Sequence, residues 1–191
     1  MKNPCDSNVL RKLFRAPKYA RWDTLDKETV DEMIFKIPKV RDRLIVELMA
    51  RGGLRVSEVL KLKARDVEDQ KLILRNPKSG KEQEVVFIPQ KIAQRLKDYI
   101  REHGFEPDSR IFPIKYGAAR NVVERAGIRI GVKVRPHDLR RHAATYASRS
   151  GTPIEIVSKV ILRHANLATT QRYLGKVSDA EAVRWIKRLY D

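Results

Sequence analysis

Apolar residues recur at helical spacing through most of this chain and alternate with polar ones in only one short region. Leu25 and Val30 flank an Asp26 able to cap a helix, the spacing of a hydrophobic staple. Val40, Leu44, Ile45, Leu48 and Met49 share one face of a second helix. Gly52 and Gly53 end it, because glycine takes the left-handed cap conformation without penalty. Arg55 then opens a short helix, and Glu58, three residues on, faces the same side. Residues 71–76 and 84–88 read as two strands joined by the polar turn Asn76-Pro77-Lys78-Ser79-Gly80-Lys81. A short strand near Asp66 and Val67 completes a small antiparallel sheet.

The helical period then returns. Pro89 starts a helix that carries Ile92, Leu96, Tyr99 and Ile100 inward and stops near Gly104. After a loop over residues 106–114, a helix from about Tyr116 is closed by Gly127. Pro136 opens the next helix, with Leu139, Ala143, Tyr146 and Ala147 on its core side. Thr152-Pro153-Ile154-Glu155 reads as a capping box with proline at the first helical position. The segment around His164 breaks that helix, and Thr169 to Tyr173 forms another helical turn. A second box, Ser178-Asp179-Ala180-Glu181, precedes the apolar stripe Val183, Ile186 and Leu189 of a terminal helix over about 179–190. The pattern defines a mainly α (α+β) domain over 24–191, helical with a small three-stranded antiparallel sheet. Residues 1–23 show little periodicity and read as a linker or the remnant of an N-terminal module.

Composition narrows the class. With 42% hydrophobic and 34% charged residues the 191-residue chain is globular, and its short apolar runs offer no membrane span or signal peptide. Its single cysteine, Cys5, cannot form an internal disulfide and suits a reducing compartment, so a cytoplasmic location is expected. The net charge is +17, unevenly spread: 16 Lys and Arg against 6 Asp and Glu from residue 114 onward. Such a field selects a polyanion, nucleic acid before an anionic membrane surface.

That basic part holds three of the four histidines. His137 and Arg140 lie one helical turn apart on one face. His164 is followed nine residues later by Tyr173, inside Leu-Arg-His-Ala-Asn-Leu-Ala-Thr-Thr-Gln-Arg-Tyr. Alone, each residue has an ordinary reading. Arg55 and Glu58 would make a surface ion pair, Lys78 a solvated turn lysine, His164 a helix-end cap, Tyr173 a core or surface aromatic, and His142 is structural. Together, in the order Arg, Lys, His-x-x-Arg, His, Tyr, they resemble the catalytic domain of the tyrosine recombinases, the phage-integrase family. Gly53-Leu54-Arg55-Val56-Ser57-Glu58-Val59-Leu60 is similar to its first arginine box. Lys78, with Lys81 as the alternative, falls where the family carries a hairpin lysine. The chain departs from the family pattern at Arg163, where glycine usually precedes the second histidine.

The resemblance implies a helical DNA breaking-rejoining domain that recombines DNA at specific sites through a 3′-phosphotyrosine ester, without metal or cofactor. Arg55 and Arg140 would hold the non-bridging phosphate oxygens, since forked guanidinium donors fit them as no other side chain does. His137 and His164 would add donors, with His137 as the base for Tyr173, and Glu58 is the supporting residue beside Arg55. A phenol titrates near ~10, so surrounding cations are needed to activate it. Lys78 would protonate the departing 5′ oxygen. The expected partners are double-stranded DNA at the nucleoid and further protomers, a tetramer in the synapse and a monomer when free, with the terminal helix docking on its own domain or a neighbour's. A type IB topoisomerase-like activity and a non-catalytic DNA-binding relative are the alternatives. A metal nuclease fits less well, since such sites need clustered carboxylates.

Overall fold

The computed structural model describes residues 25–75, 82–164, 166–174 and 179–190; Lys78 and Lys81 lie outside them. The first helix, α1 (Lys27–Phe35), starts as its sequence dictates, with the Asp26 carboxylate accepting from the Thr29 amide at 2.7 Å. Helix α2 (Val40–Gly52) is the axis of the domain. Leu44, Ile45, Leu48 and Met49 are fully buried along it, and α1, α4 (Gln90–Glu102), α5 (Tyr116–Ile128) and α6 (Pro136–Arg149) pack around it. Val40 is exposed, because the first turn of α2 has not yet entered the core.

The short α3 (Val56–Val59) leads into the sheet of β1 (Val67–Glu68), β2 (Lys71–Arg75) and β3 (Gln83–Phe87), antiparallel in the order β1-β2-β3. Leu72 pairs with Val86 and Leu74 with Glu84. The buried Leu72, Leu74 and Val86 turn one face of the sheet onto the main core.

Beyond α6 the backbone leaves the regular pattern. A single turn, α7 (Ile154–Ile156), widens into a π-turn over Val157–Ile161, and α8 (Leu167–Leu174) and α9 (Asp179–Tyr190) follow. The capping box expected at Thr152 is not formed. Pro153 precedes the first helical residue, with no side-chain cap, because the turn passes directly into the wider coil. A small second core of Ala144, Val157 and Leu162, with Ala147, Ile161 and Leu174 packed on it, joins α6, the π-turn and α8.

Three further expectations are corrected. Gly127 lies inside α5 and does not close it; a Cβ there would come within 2.4 Å of the Val132 carbonyl, so close backbone approach explains this glycine. Tyr146 is exposed, lying against the ring of His142. In the terminal stripe, Val183 and Ile186 are 54% and 58% exposed, so these two side chains are not buried on their own domain. Instead Trp185 lies over Gly151, where an added Cβ would meet its ring at 3.0 Å.

Candidate active site

One glycine and one arginine assemble the site. Gly53 caps α2 at φ 63, and its backbone packs so closely on the π-turn that an added Cβ would lie 2.9 Å from the Ile161 carbonyl oxygen. The buried Arg140, from the first turns of α6, spans this junction. One Nη donates to the Gly53 carbonyl and the other to the Leu162 carbonyl. A single guanidinium thus ties the start of the Arg55 segment to the loop carrying His164.

Arg55 is the N-cap of α3, and Glu58 holds it twice. One carboxylate oxygen accepts from the Arg55 amide at 2.7 Å and the other from Nη1 at 2.6 Å. This is no solvated surface pair, since the Glu58 side chain is 8% exposed and Arg55 is half-buried. Glu58 also receives Arg163 Nη2 at 2.6 Å. Burial alone would raise the Glu58 pKa, but the Arg163 charge and the bonds from Arg55 outweigh it and hold the carboxyl below its ordinary value.

His164 follows on the loop, its amide bonded to the Ser158 carbonyl of the π-turn at 2.9 Å. Its Nδ1 meets Thr170 Oγ1 at 3.0 Å, and that hydroxyl is hydrogen-bonded to Ser158 Oγ at 2.9 Å, with Thr170 and Ser158 fully buried. Which of Nδ1 and Oγ1 donates is set by the imidazole tautomer, and in either case the bond fixes the orientation of the ring. Thr170 lies on α8 one turn before Tyr173, so the same bond fixes the histidine loop to the tyrosine helix. Sequence reading missed Thr170 and Ser158; the spacing of three between Thr170 and Tyr173 was the available signal.

The cations act on one another. Desolvation, then the charges of Arg140, Arg55, Arg163 and His137, push the His164 pKa down to about 4. Desolvation and the Arg141 charge lower that of His137, with smaller contributions from Arg140 and Arg55, although its residue surface is exposed. Arg55, His137, Arg140 and His164, drawn from three separate segments, therefore share one electrostatic site. His142 is apart from it: its buried ring lies against Tyr146, and Nδ1 donates to the Leu25 carbonyl at 2.8 Å. That is the structural role expected of it. Among the described residues no group of three His, Cys, Asp or Glu is placed to hold a metal ion, and no helix is long and apolar enough to cross a membrane.

Depressed histidine pKa values tie stability to pH. Below the unfolded value of 6.5 the unfolded chain takes up protons that folded His164 resists until about 4. The DNA-free domain is therefore most stable above that window and loses stability as pH falls through it. Urea melts at successive pH values should show this, with the slope reduced in His164→Gln. A pH-independent midpoint across the window would contradict the site electrostatics.

The fold is a mainly helical domain with a small three-stranded antiparallel sheet, and its arginine–histidine cluster is drawn from the start of α3, from α6 and from the loop after the π-turn. Residues 23–179 match the phage integrase family, and the chain belongs to that family. It is 35% identical over 165 residues to tyrosine recombinase XerA of Pyrococcus furiosus, covering 78% of this chain and 56% of that protein. The crystal structure of XerA recombinase superposes with a TM-score of 0.73 at 24% identity, over 87% of this chain and 63% of the other. The Tn1549 transposon integrase, solved with transposon right-end DNA, gives a TM-score of 0.71 at 16% identity over 100% of this chain and 72% of that one. The chain spans 60%, 56% and 56% of the length of three curated relatives that it matches.

Proposed function

We propose that this domain cuts and rejoins double-stranded DNA in site-specific recombination, with Tyr173 as nucleophile of a 3′-phosphotyrosine intermediate. The observation that carries the reading is the convergence of Arg55, His137, Arg140 and His164 on one site, with the histidine loop hydrogen-bonded to the helix that bears Tyr173.

A phosphodiester carries one negative charge and gains more in its five-coordinate transition state. Arg55 and Arg140 face that charge with donors held in place before the reaction by Glu58 and by backbone carbonyls, so little reorganisation is needed. His137, neutral at pH 7 because its pKa is depressed, can take the phenolic proton of Tyr173. Attack then forms the Tyr173–phosphorus bond and breaks the bond to the 5′ oxygen. Lys78, which lies between β2 and β3 in the sequence, protonates that oxygen as it leaves. His164 gains its second ring proton as the phosphate arrives, because the anion raises the ring's pKa, and then donates to a non-bridging oxygen. The phosphotyrosine ester retains the energy of the broken bond for religation, and in recombination further protomers on the DNA supply the second pair of strands.

A duplex nicked just 3′ of the scissile phosphate tests the reading. The short 5′-hydroxyl fragment should diffuse away and leave a protein–DNA adduct that survives denaturant and EDTA. No adduct on substrates taken from the DNA around its own gene would argue against the activity. Strand exchange between two duplexes, set against relaxation of one supercoiled circle, separates a recombinase from a topoisomerase.

The Gly53 junction gives an independent prediction. Gly53→Ala should destabilise the domain by about 1–2 kcal/mol from left-handed strain alone, and the Ile161 contact adds to this. Because Gly53 also anchors Arg140, cleavage should fall further than stability does when both are measured at a temperature where the variant is folded. A variant as stable and active as the parent would show that the junction relaxes freely.

A further inference from the structure

We propose that Arg163 is a positioning residue for strand cleavage, its buried guanidinium clamping Glu58, which holds Arg55, to Glu84 on strand β3. The proposal rests on the reading of Arg55 as a phosphate-binding residue, and it starts from a backbone anomaly. Arg163 sits at φ 51, a left-handed conformation in which any residue with a Cβ is disfavoured and glycine is at ease. A bulky residue persists there only when its surroundings over-determine it.

They do so through the side chain, which is 4% exposed. Nη1 donates to the Ile161 carbonyl at 2.8 Å and Nη2 to Glu58 Oε2 at 2.6 Å, while Nε lies 3.5 Å from Glu84 Oε2. The last contact is a charge pairing rather than a hydrogen bond. Glu58 in turn holds the Arg55 amide and Nη1. An unbroken line of contacts thus runs from the sheet, through Arg163 and Glu58, to the guanidinium that would meet the phosphate.

Without Arg163, two carboxylates whose side chains are each 8% exposed would lose their shared cation. A rigid, planar fork can serve both at once, and a lysine ammonium cannot span them in the same way. Arg163 also immediately precedes His164, so the clamp bears on both ends of the cationic cluster.

The decisive variant is Arg163→Gly, which the backbone at this position accepts without strain. Single-turnover cleavage of the nicked duplex should slow about 10- to 100-fold, as expected when a phosphate-binding group is misplaced rather than lost. The dissociation constant for intact duplex should change less than about twofold, since the Arg163 side chain, 4% exposed, offers the duplex almost no surface. Arg163→Lys should recover part of the rate. Glu84→Gln should slow cleavage alone but add little in the Arg163→Gly background, because both changes open the same clamp. Cleavage at the parent rate in Arg163→Gly, or losses that multiply in the double variant, would overturn the proposal.

Hydrogen exchange gives a readout independent of activity. The Arg55 amide, bonded to Glu58, should exchange faster in Arg163→Gly while the amides of α2 are unchanged; equal protection at Arg55 would overturn the clamp even in a protein that forms no adduct. If Arg163→Gly does not fold, the same exchange and cleavage measurements on Glu84→Gln and Arg163→Lys decide it, and parent behaviour in both would refute it.

Discussion

Tyr173→Phe is expected to abolish the covalent adduct, lowering strand cleavage at least about 10⁴-fold, the scale on which removing a nucleophile acts. Only the phenolic oxygen is lost, so folding and duplex binding should match the parent. The position is well placed for such a test. Tyr173 lies in α8, which is anchored by Leu174 in the second core and by the Thr170–His164 bond, neither of which involves the phenol. Thermal melts and salt-dependent duplex binding that overlay those of the parent, together with a missing adduct, are the predicted result. An adduct still formed by the phenylalanine variant would move the nucleophile elsewhere.

The second large effect belongs to Arg140, which has two functions. As a donor to the transition state, its loss should slow cleavage about 10²- to 10³-fold. As the buried tie between the Gly53 and Leu162 carbonyls, its loss also leaves two acceptors without a partner, at about 1–3 kcal/mol for each that stays dry. Arg140→Ala should therefore be both slow and less stable. Arg140→Lys should keep the charge, yet recover little of either property, because one ammonium cannot reach both carbonyls in the plane that the fork requires. Single-turnover cleavage and urea melts on both variants separate the two functions. A lysine variant as active as the parent would reduce Arg140 to a point charge.

Much of the scaffold was legible from local rules. Asp26 announced its cap, the apolar face of α2 its burial, and Gly52-Gly53 its end; alternation located the strands. Where local patterns misled, tertiary packing had the larger effect. Tyr146 has core spacing yet is exposed, and Thr152 to Glu155 spells a capping box that the π-turn overrides. Val183 and Ile186 form an amphipathic stripe, but sequence periodicity does not say what covers it, and this domain does not.

For the candidate site, residue types and order were readable, and the means of holding them were not. Arg140 reaches a carbonyl 87 residues away, and Arg163 a carboxylate 105 residues away. No period or spacing encodes such pairs. Arg163 was visible as a departure from the family's glycine, but its partners Glu58 and Glu84 become evident only when α3, β3 and the loop are folded together. The Ser158–Thr170–His164 relay was hidden for another reason: serine and threonine in a helical stretch ordinarily read as weak helix formers or caps.

The central claim is that Tyr173 takes the phosphoryl group, and the most direct test is to find it there. The adduct trapped on the nicked duplex should be digested with nuclease and protease and the modified peptide sequenced by mass spectrometry. The account predicts a single nucleotide-bearing peptide with the phosphodiester linkage on the oxygen of Tyr173. Linkage to any other tyrosine, to a serine or to a histidine would contradict it.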